Sequence, residues 1–277
     1  MSVAASHELA IEIGGIPILV RTDSSEFARL LEQRYAGFVK GSGFGAGSRP
    51  VSELPAFELE VELVPQGQVS DVDELSVRLD SGCWIMERGD FRAEWDLERY
   101  QGRVRQTANP YSIDGVLRIL HTLVLAPQGG FLVHAASAVR NGRAFLFAGV
   151  SGAGKTTLCR LAPPDVALLT DEISYVRRRE TAYEAFGTPF AGELAQVGEN
   201  RRAPVAALYL LAQGPENRIE PVTDAGAALA LLQNVLFFAQ DPELVRLVFW
   251  SVFDFVSRVP VRRLVFAPDA RVWDLIR

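Results

Sequence analysis

Eight residues, GVSGAGKT from Gly149 to Thr156, have the types and spacing needed to hold a phosphate group. They match G-x-x-x-x-G-K-[ST], in which glycines let the backbone turn tightly and point its N–H groups inward. In such a loop Lys155 reaches the β- and γ-phosphates, and the Thr156 hydroxyl suits Mg²⁺. The pattern therefore predicts a nucleoside triphosphate with Mg²⁺, and the candidate contacts are Gly149, Ser151, Gly152, Ala153, Gly154, Lys155, Thr156 and Thr157.

A pair of acids follows the loop at a useful distance. The apolar run VALLT ends in Asp171 and Glu172, 16 and 17 residues after Lys155, which leaves room for one helix and a return strand. Acids at a strand end are often only turn residues, but Mg²⁺ beside such a loop needs a carboxylate from a nearby strand end. We therefore predict Asp171, Glu172 and Thr156 as metal contacts.

A hairpin signal precedes the loop. Asn141-Gly142 is typical of a two-residue turn, because both positions tolerate positive φ. If Arg140 pairs with Arg143, the register sets His134 opposite Gly149. A histidine in a strand is often a satisfied core residue, but this register predicts that His134 lies at the edge of the phosphate site.

The elements around these residues follow from local patterns. AFLFAG predicts a strand leading into the loop, and a helix is expected from Lys155 to about Leu161, before Pro163-Pro164. Further strands are predicted in DVALLTDE, ISYVRRRE, AYEAFGTP, VAALYLLAQ and VPVRRLVF, and helices in TDAGAALALLQNVLFF and DPELVRLVFWSVFDFV.

The amino-terminal part is predicted to be rich in strands. Gly14-Gly15 indicates a hairpin, SSEFARLLEQRY a helix, and GSGFGAGSRP a glycine-rich surface loop. The short alternating segments between Phe57 and Gln106 predict an antiparallel sheet. NPYSIDGVLRILHTLVLAP predicts a helix whose N-cap is Asn109 or Ser112. We expect an α/β protein with α+β character, divided into a β-rich region, 1–108, and a nucleotide-binding domain with a mixed sheet, 109–277.

The charge composition disfavours some classes of partner. The 277 residues include 28 Lys+Arg and 34 Asp+Glu, for a net charge of -6, which disfavours a nucleic-acid partner. The two cysteines, Cys83 and Cys159, lie far apart and are expected to be small buried residues in a reducing compartment. The amino terminus has no secretory pattern, and no apolar run is long enough to span a bilayer. We expect a cytoplasmic protein without a membrane partner.

The antiparallel hairpin that leads into GVSGAGKT, with His134 on its first strand and Asp171-Glu172 beyond, resembles HPr kinase/phosphorylase and its relatives, which share a core with phosphoenolpyruvate carboxykinases. The resemblance implies ATP, Mg²⁺ and transfer of the γ-phosphoryl group to a hydroxyl, of Ser or Thr in a protein or peptide, or of a small molecule. It implies catalytic roles for His134, Lys155, Asp171 and Glu172. Asp171 would be the base for the acceptor hydroxyl and Glu172 would lie nearer the metal, with the exchanged assignment open.

The chain departs from that family at two points. The second acid is Glu172 where the family has Asp, and the glycine-rich signature after Ile-Arg is not found. Phosphorylase activity, the HPr substrate and the family's hexamer are therefore left open, as is any other homo-oligomer. Glu193 in GTPFAGE is a further candidate polar contact, and Arg201-Arg202 candidate phosphate contacts.

One alternative function uses the same residues. A P-loop ATPase or nucleotide-dependent switch would have no phospho-acceptor, and Asp171 or Glu172 would position a water molecule instead. A binding module that has lost catalysis is disfavoured by the intact Lys155-Thr156 and acid pair. The sequence lacks an NKxD-type guanine motif, which favours ATP.

Overall fold

The computed structural model describes residues 6–40, 57–65, 67–70, 72–190, 192–194 and 198–277. The glycine-rich segment 41–50 lies outside the described residues. Contacts divide the chain into one unit of residues 1–121 with 238–241 and another of 122–237 with 242–277. Each unit contains a mixed sheet, so the α/β class with α+β character is confirmed. The predicted division between residues 108 and 109 stays a prediction.

The first unit is built on a sheet with, in its described residues, seven strands in the order β1-β2-β3-β7-β6-β5-β4. The strands are β1 (His7–Ile13), β2 (Ile16–Thr22), β3 (Phe57–Leu63), β4 (Ser76–Asp80), β5 (Cys83–Arg88), β6 (Phe91–Asp96) and β7 (Gln101–Gln106). Helix α1 (Ser25–Arg34) belongs to this unit, as does most of helix α2 (Pro110–Leu125). The predicted Gly14-Gly15 hairpin is confirmed, with Ile13 paired to Ile16 and positive φ at both glycines.

One prediction for this sheet is wrong. Strand β3 pairs in parallel with both β2 and β7, so the segments between Phe57 and Gln106 do not form a purely antiparallel sheet. A parallel pair requires a crossover connection, and the chain between β2 and β3 contains α1, which begins after its N-cap Ser24. The alternation in FELEVEL is retained, because Phe57, Leu59 and Val61 are buried. Alternation therefore predicts the strand and its buried face but not its direction relative to its neighbours.

The second unit is built on a sheet with nine strands among its described residues. They are β8 (Phe131–Arg140), β9 (Arg143–Ala148), β10 (Ala167–Thr170), β11 (Ile173–Arg179), β12 (Ala182–Phe186), β13 (Arg202–Gln213), β14 (Arg218–Pro221), β15 (Val235–Leu236) and β16 (Val261–Phe266). Strand β9 lies between β8, to which it is antiparallel, and β13, to which it is parallel. Strand β13 is also parallel to β16, which makes the sheet mixed, as predicted.

Helices α3 (Lys155–Arg160), α4 (Asp224–Leu232) and α5 (Pro242–Arg258) complete this unit, with a 3-10 turn at Ala270–Leu275. Leu231 of α4 and Phe255 of α5 pack into one buried cluster. Phe147, Phe266 and Trp273 pack into another. The strand β9 contributes to both clusters, because successive side chains of a strand point to opposite faces. The end of β9, where the GVSGAGKT loop begins, is therefore held from both sides.

Two local expectations are refined. Tyr111 donates its N–H to Asn109 Oδ1 at 3.0 Å, so Asn109 caps α2 and Ser112 lies inside the helix. The helix predicted in TDAGAALALLQNVLFF ends at Leu232, and the following Val235–Leu236 pairs with β8. Strand β14 was not predicted. In the described part of the chain no helix is both long and apolar enough to cross a membrane.

Candidate functional site

The predicted hairpin register is confirmed. Arg140 pairs with Arg143, and the turn residues Asn141 and Gly142 have φ of 51° and 74°. The ladder ends at the pair Ala135–Ala148, so His134 lies one residue beyond the last pair. On the edge of β8 that faces β9, the backbone N–H of His134 donates to the Asn234 carbonyl at 2.7 Å, in line with β15, so Asn234 occupies the place opposite His134 where the sequence predicts Gly149. On the other edge of β8, His134 pairs with Ile173 of β11.

The acid pair lies on the opposite edge of β8 from β9. Thr170 pairs with Ser137 and Ile173 with His134, so Asp171 and Glu172 occupy the step between β10 and β11, just after the register shift between Leu168 and Thr170. The Thr170 hydroxyl accepts the N–H groups of Glu172 and Ile173 at 3.2 and 3.3 Å, which stabilises this step. The acids therefore follow a strand that neighbours β8 rather than β9, at the level where β9 ends.

The glycines of the 149–156 loop each have a structural reason. Gly152 and Gly154 have φ of 79° and 107°, values that side chains rarely adopt. A Cβ at Gly154 would lie 2.6 Å from the Phe266 ring, and one at Gly149 would lie 2.8 Å from the Ala153 Cβ. Helix α3 begins directly after Gly154, as predicted. The segment is thus a strand, a tight glycine loop and a helix in succession.

Lys155 lies across this loop. Its side chain is buried, and Nζ donates to the carbonyls of Gly149 at 2.7 Å and Val150 at 3.3 Å. Burial lowers the pKa of Lys155, whereas the nearby charges of Glu172 and Glu193 act to raise it. Phosphate oxygens are stronger acceptors for an ammonium group than these carbonyls, because charge-assisted bonds are the stronger ones. The loop and its lysine fit a bound polyphosphate.

Asp171 is buried, and both of its carboxylate oxygens accept hydrogen bonds. Its Oδ1 accepts the N–H of Gly192 and its Oδ2 that of Leu194, both at 2.9 Å. Burial raises the pKa of the Cys159 thiol to about 12, and the negative charge of Asp171 raises it by a smaller amount. Glu172, next along the chain, is only half-buried. The two acids therefore have different environments.

Glu193 is brought to the loop, as predicted for a further polar contact. The Thr156 hydroxyl and Glu193 Oε2 lie 3.1 Å apart. Arg201 and Arg202, in contrast, form ion pairs with Glu199 at 3.8 Å and Glu184 at 3.6 Å. Among the described residues no group of three or more His, Cys, Asp or Glu side chains is arranged to hold a metal ion. A hydroxyl, one or two carboxylates and phosphate oxygens are nevertheless the usual Mg²⁺ contacts at such loops.

Two contributors were missed from the sequence. Gln213, the last residue of β13, donates from Nε2 to the Gly152 carbonyl at 2.7 Å. Phe266, the last residue of β16, lies against Gly154. A glutamine that ends the apolar run VAALYLLA is a weak signal for the first, and we find no local signal for the second. Both come from strands on the β13 side of the sheet.

Comparison with known proteins gives one family. The model of the family described as "SynChlorMet cassette protein ScmC" matches residues 107–277. Among solved structures, the HPr(Ser) kinase/phosphatase from Coxiella burnetii aligns at 12% identity and a TM-score of 0.25, over 49% of this chain and 84% of that one. No curated protein matches. The matching family is thus a cassette protein family and not that of HPr kinases, and because the match spans more than half of the sequence, the chain belongs to the ScmC family.

Proposed function

We propose that the chain is an ATP-dependent kinase that transfers the γ-phosphoryl group to a hydroxyl. One observation carries the proposal: the 149–156 loop begins where β9 ends, the acid pair lies at the same level on the other edge of β8, and Glu172 is near enough to Lys155 to influence its charge. Phosphoryl transfer asks a protein mainly to position its reactants and to neutralise charge on the transferred group. Each group placed here serves one of those two demands.

The nucleotide is held by the loop. Backbone N–H groups between Gly149 and Thr157 contact the phosphates, and Lys155 exchanges its bonds with the Gly149 and Val150 carbonyls for phosphate oxygens. Gln213 keeps the Gly152 carbonyl directed away from the phosphates by donating to it. The start of α3 adds the positive end of its peptide dipoles.

Thr156 and Glu193 would hold Mg²⁺. Of the two acids predicted from the sequence as metal contacts, Asp171 would lie behind Glu193 on the metal side and Glu172 on the acceptor side. The 3.1 Å contact between Thr156 and Glu193 supports a carboxylate on the metal side of the loop. When bound, Mg²⁺ would offset the negative charge that develops on the phosphate oxygens. The protein's own part is to keep these oxygen ligands close to the start of α3.

The two acids are best assigned in the exchanged order. Each Asp171 oxygen already accepts a backbone N–H group, so this carboxylate is engaged with residues 192–194 rather than open to an acceptor hydroxyl. Glu172 is half-buried and close enough to Lys155 to interact with its charge. We propose that Glu172 accepts the proton of the acceptor hydroxyl. At the same time the hydroxyl oxygen forms its bond to the γ-phosphorus, and the bond from that phosphorus to the oxygen of ADP breaks. His134 would orient the acceptor.

The acceptor is a Ser or Thr hydroxyl of a protein or peptide, or a small-molecule hydroxyl. The proposal includes no nucleic-acid or membrane partner and a cytoplasmic location, supported by the net charge of -6 and the unpaired Cys83 and Cys159. A homo-oligomer is compatible with it.

The test is transfer of ³²P from [γ-³²P]ATP with a panel of peptides and small hydroxyl compounds. The chain has two lysines, so Lys155→Met has a matched control in Lys40→Met. We expect label on an acceptor with wild type and Lys40→Met and loss of at least about 100-fold with Lys155→Met. Release of free phosphate without a labelled acceptor would instead identify an ATPase or switch.

A further inference from the structure

The segment around Glu193 is held by the buried acid beside it. Gly192 and Leu194, the residues on either side of Glu193, each donate a backbone N–H to a different oxygen of Asp171, at 2.9 Å. The carboxylate thus spans the turn that carries Glu193. Asp171 is 6% exposed, so water competes little for these bonds.

Gly192 fits this arrangement closely. A Cβ at this position would lie 3.0 Å from Asp171 Oδ2 and 2.9 Å from the Glu172 Cβ. Such distances require the backbone to move away from the acid pair, because the step between β10 and β11 is held by the Thr170 hydroxyl. The absence of a side chain lets the turn approach Asp171.

The same pair of strands holds the beginning of this loop. Thr188 donates its hydroxyl to the Ile173 carbonyl at 2.9 Å and its N–H to the Leu169 carbonyl at 3.3 Å. Thr188 and the pair Gly192 and Leu194 are thus each hydrogen-bonded to residues 169–173. Glu193 Oε2 is 3.1 Å from the Thr156 hydroxyl.

From this geometry we infer that Asp171 is a positioning residue: it fixes the turn at residues 192–194 and so sets Glu193 beside Thr156. The expected consequence of this positioning is a change in Mg²⁺-dependent nucleotide binding, and that consequence rests on the proposed function. Residues that orient a metal ligand commonly change metal affinity by about 10- to 100-fold when substituted. We expect Asp171 to act in that way, through Glu193, and without touching the acceptor.

The first test needs neither metal nor nucleotide. Asp171→Asn keeps the size of the side chain but presents an NH₂ group to one of the two N–H donors. Amide hydrogen exchange at Gly192 and Leu194 in the ligand-free protein should become about 10-fold faster or more in Asp171→Asn. Glu199→Gln, further along the same loop, is the control and should leave the exchange rates of Gly192 and Leu194 unchanged. Equal exchange in wild type and Asp171→Asn would overturn the inference.

The second test follows binding of a fluorescent ATP analogue as Mg²⁺ is added. Asp171→Asn and Glu193→Gln should each raise the half-saturating Mg²⁺ concentration about 10-fold, and the double variant no further, because both act through one contact. Binding without Mg²⁺ should be retained. Additive effects, or an unchanged Mg²⁺ requirement with lost phosphoryl transfer, would overturn the positioning role. If Asp171→Asn fails to fold, Gly192→Ala replaces it with the same expectation.

These results separate the two proposals. Wild type that binds no nucleotide overturns the proposed function and the Mg²⁺-dependent consequence, while the exchange measurement still decides whether Asp171 holds the turn. Wild type that binds nucleotide while Asp171→Asn behaves identically overturns only the positioning role.

Discussion

His134 and Ile173 lie directly opposite each other in the antiparallel pair of β8 and β11. Ile173 is the residue after the acid pair, and His134 is one residue before Ala135, whose partner Ala148 ends β9. His134 therefore lies one residue along β8 from the end of the β9 ladder and opposite the residue that follows the acids. We expect substitutions near this point to affect the acceptor side and the nucleotide side together.

Lys155 is open to selective chemical labelling, because Lys40 is the other lysine in the chain. Burial lowers the pKa of Lys155, so a larger fraction of its amine is neutral near pH 9 than for an exposed lysine. An amine-reactive acetylating reagent should modify both lysines, and ATP with Mg²⁺ should slow modification of Lys155 alone. Peptide mass mapping measures this. Equal protection of Lys40, or no protection of either, would contradict the proposed phosphate contact.

Gly154 tolerates no side chain. Its φ of 107° strains any other residue, and a Cβ would lie 2.6 Å from the Phe266 ring. Gly154→Ala should lower the free energy of unfolding by about 1–3 kcal/mol and weaken nucleotide binding. Gly142→Ala is the control, because its φ of 74° carries strain but open space surrounds it. Urea denaturation and nucleotide titration measure the two effects, and similar nucleotide affinity in both variants would count against a close role for Gly154.

The two cysteines should differ in reactivity. Cys83 is half-buried, whereas Cys159 is buried with its pKa raised to about 12. A disulfide reagent at pH 8 should modify Cys83 quickly and Cys159 only when α3 opens, and bound nucleotide should slow the second reaction further. Cys83→Ser and Cys159→Ser identify each reaction. Rapid modification of both in wild type would contradict the packing of α3.

The raised pKa of Cys159 also predicts an alkaline loss of stability. The group is neutral in the folded protein at pH values where it ionises in the unfolded chain, so its contribution is complete below about pH 9 and falls as the pH approaches 12. Cys159→Ala should therefore show a smaller drop in the free energy of unfolding between those pH values than Cys83→Ala. Equal drops would show that the burial of Cys159 is unimportant.

Gln213 should matter for nucleotide affinity and little for folding. Its Nε2 donates to the Gly152 carbonyl at 2.7 Å from an exposed position. Gln213→Leu removes that donor and should weaken ATP-analogue binding about 5- to 10-fold, in keeping with the loss of one hydrogen bond of about 1 kcal/mol. Its melting temperature should remain close to that of wild type. Gln233→Leu, at the C-cap of α4, is the control, and a loss of affinity there as well would rule out a specific role for Gln213.

The sequence by itself determined the features that depend on near neighbours. Asn141-Gly142 set the turn and therefore the register of β8 with β9, because a two-residue loop leaves one pairing. Alternation in FELEVEL marked a strand with one buried face, and the spacing of glycines before Lys155 marked a tight turn between a strand and a helix. Each of these depends on residues only a few positions apart.

Tertiary structure alone decided the contacts between distant segments. The parallel direction of β3, the place of Asp171 and Glu172 on the far edge of β8, and the meeting of Glu193 with Thr156 join residues separated by tens of positions. The environments of the two acids differ for the same reason, since Asp171 is satisfied by Gly192 and Leu194. Local propensity and periodicity do not determine which strands become neighbours. Strand order depends on the burial of all the apolar faces together. The candidate groups can therefore be identified from the sequence, whereas the packing of the sheet determines which of them lie close together.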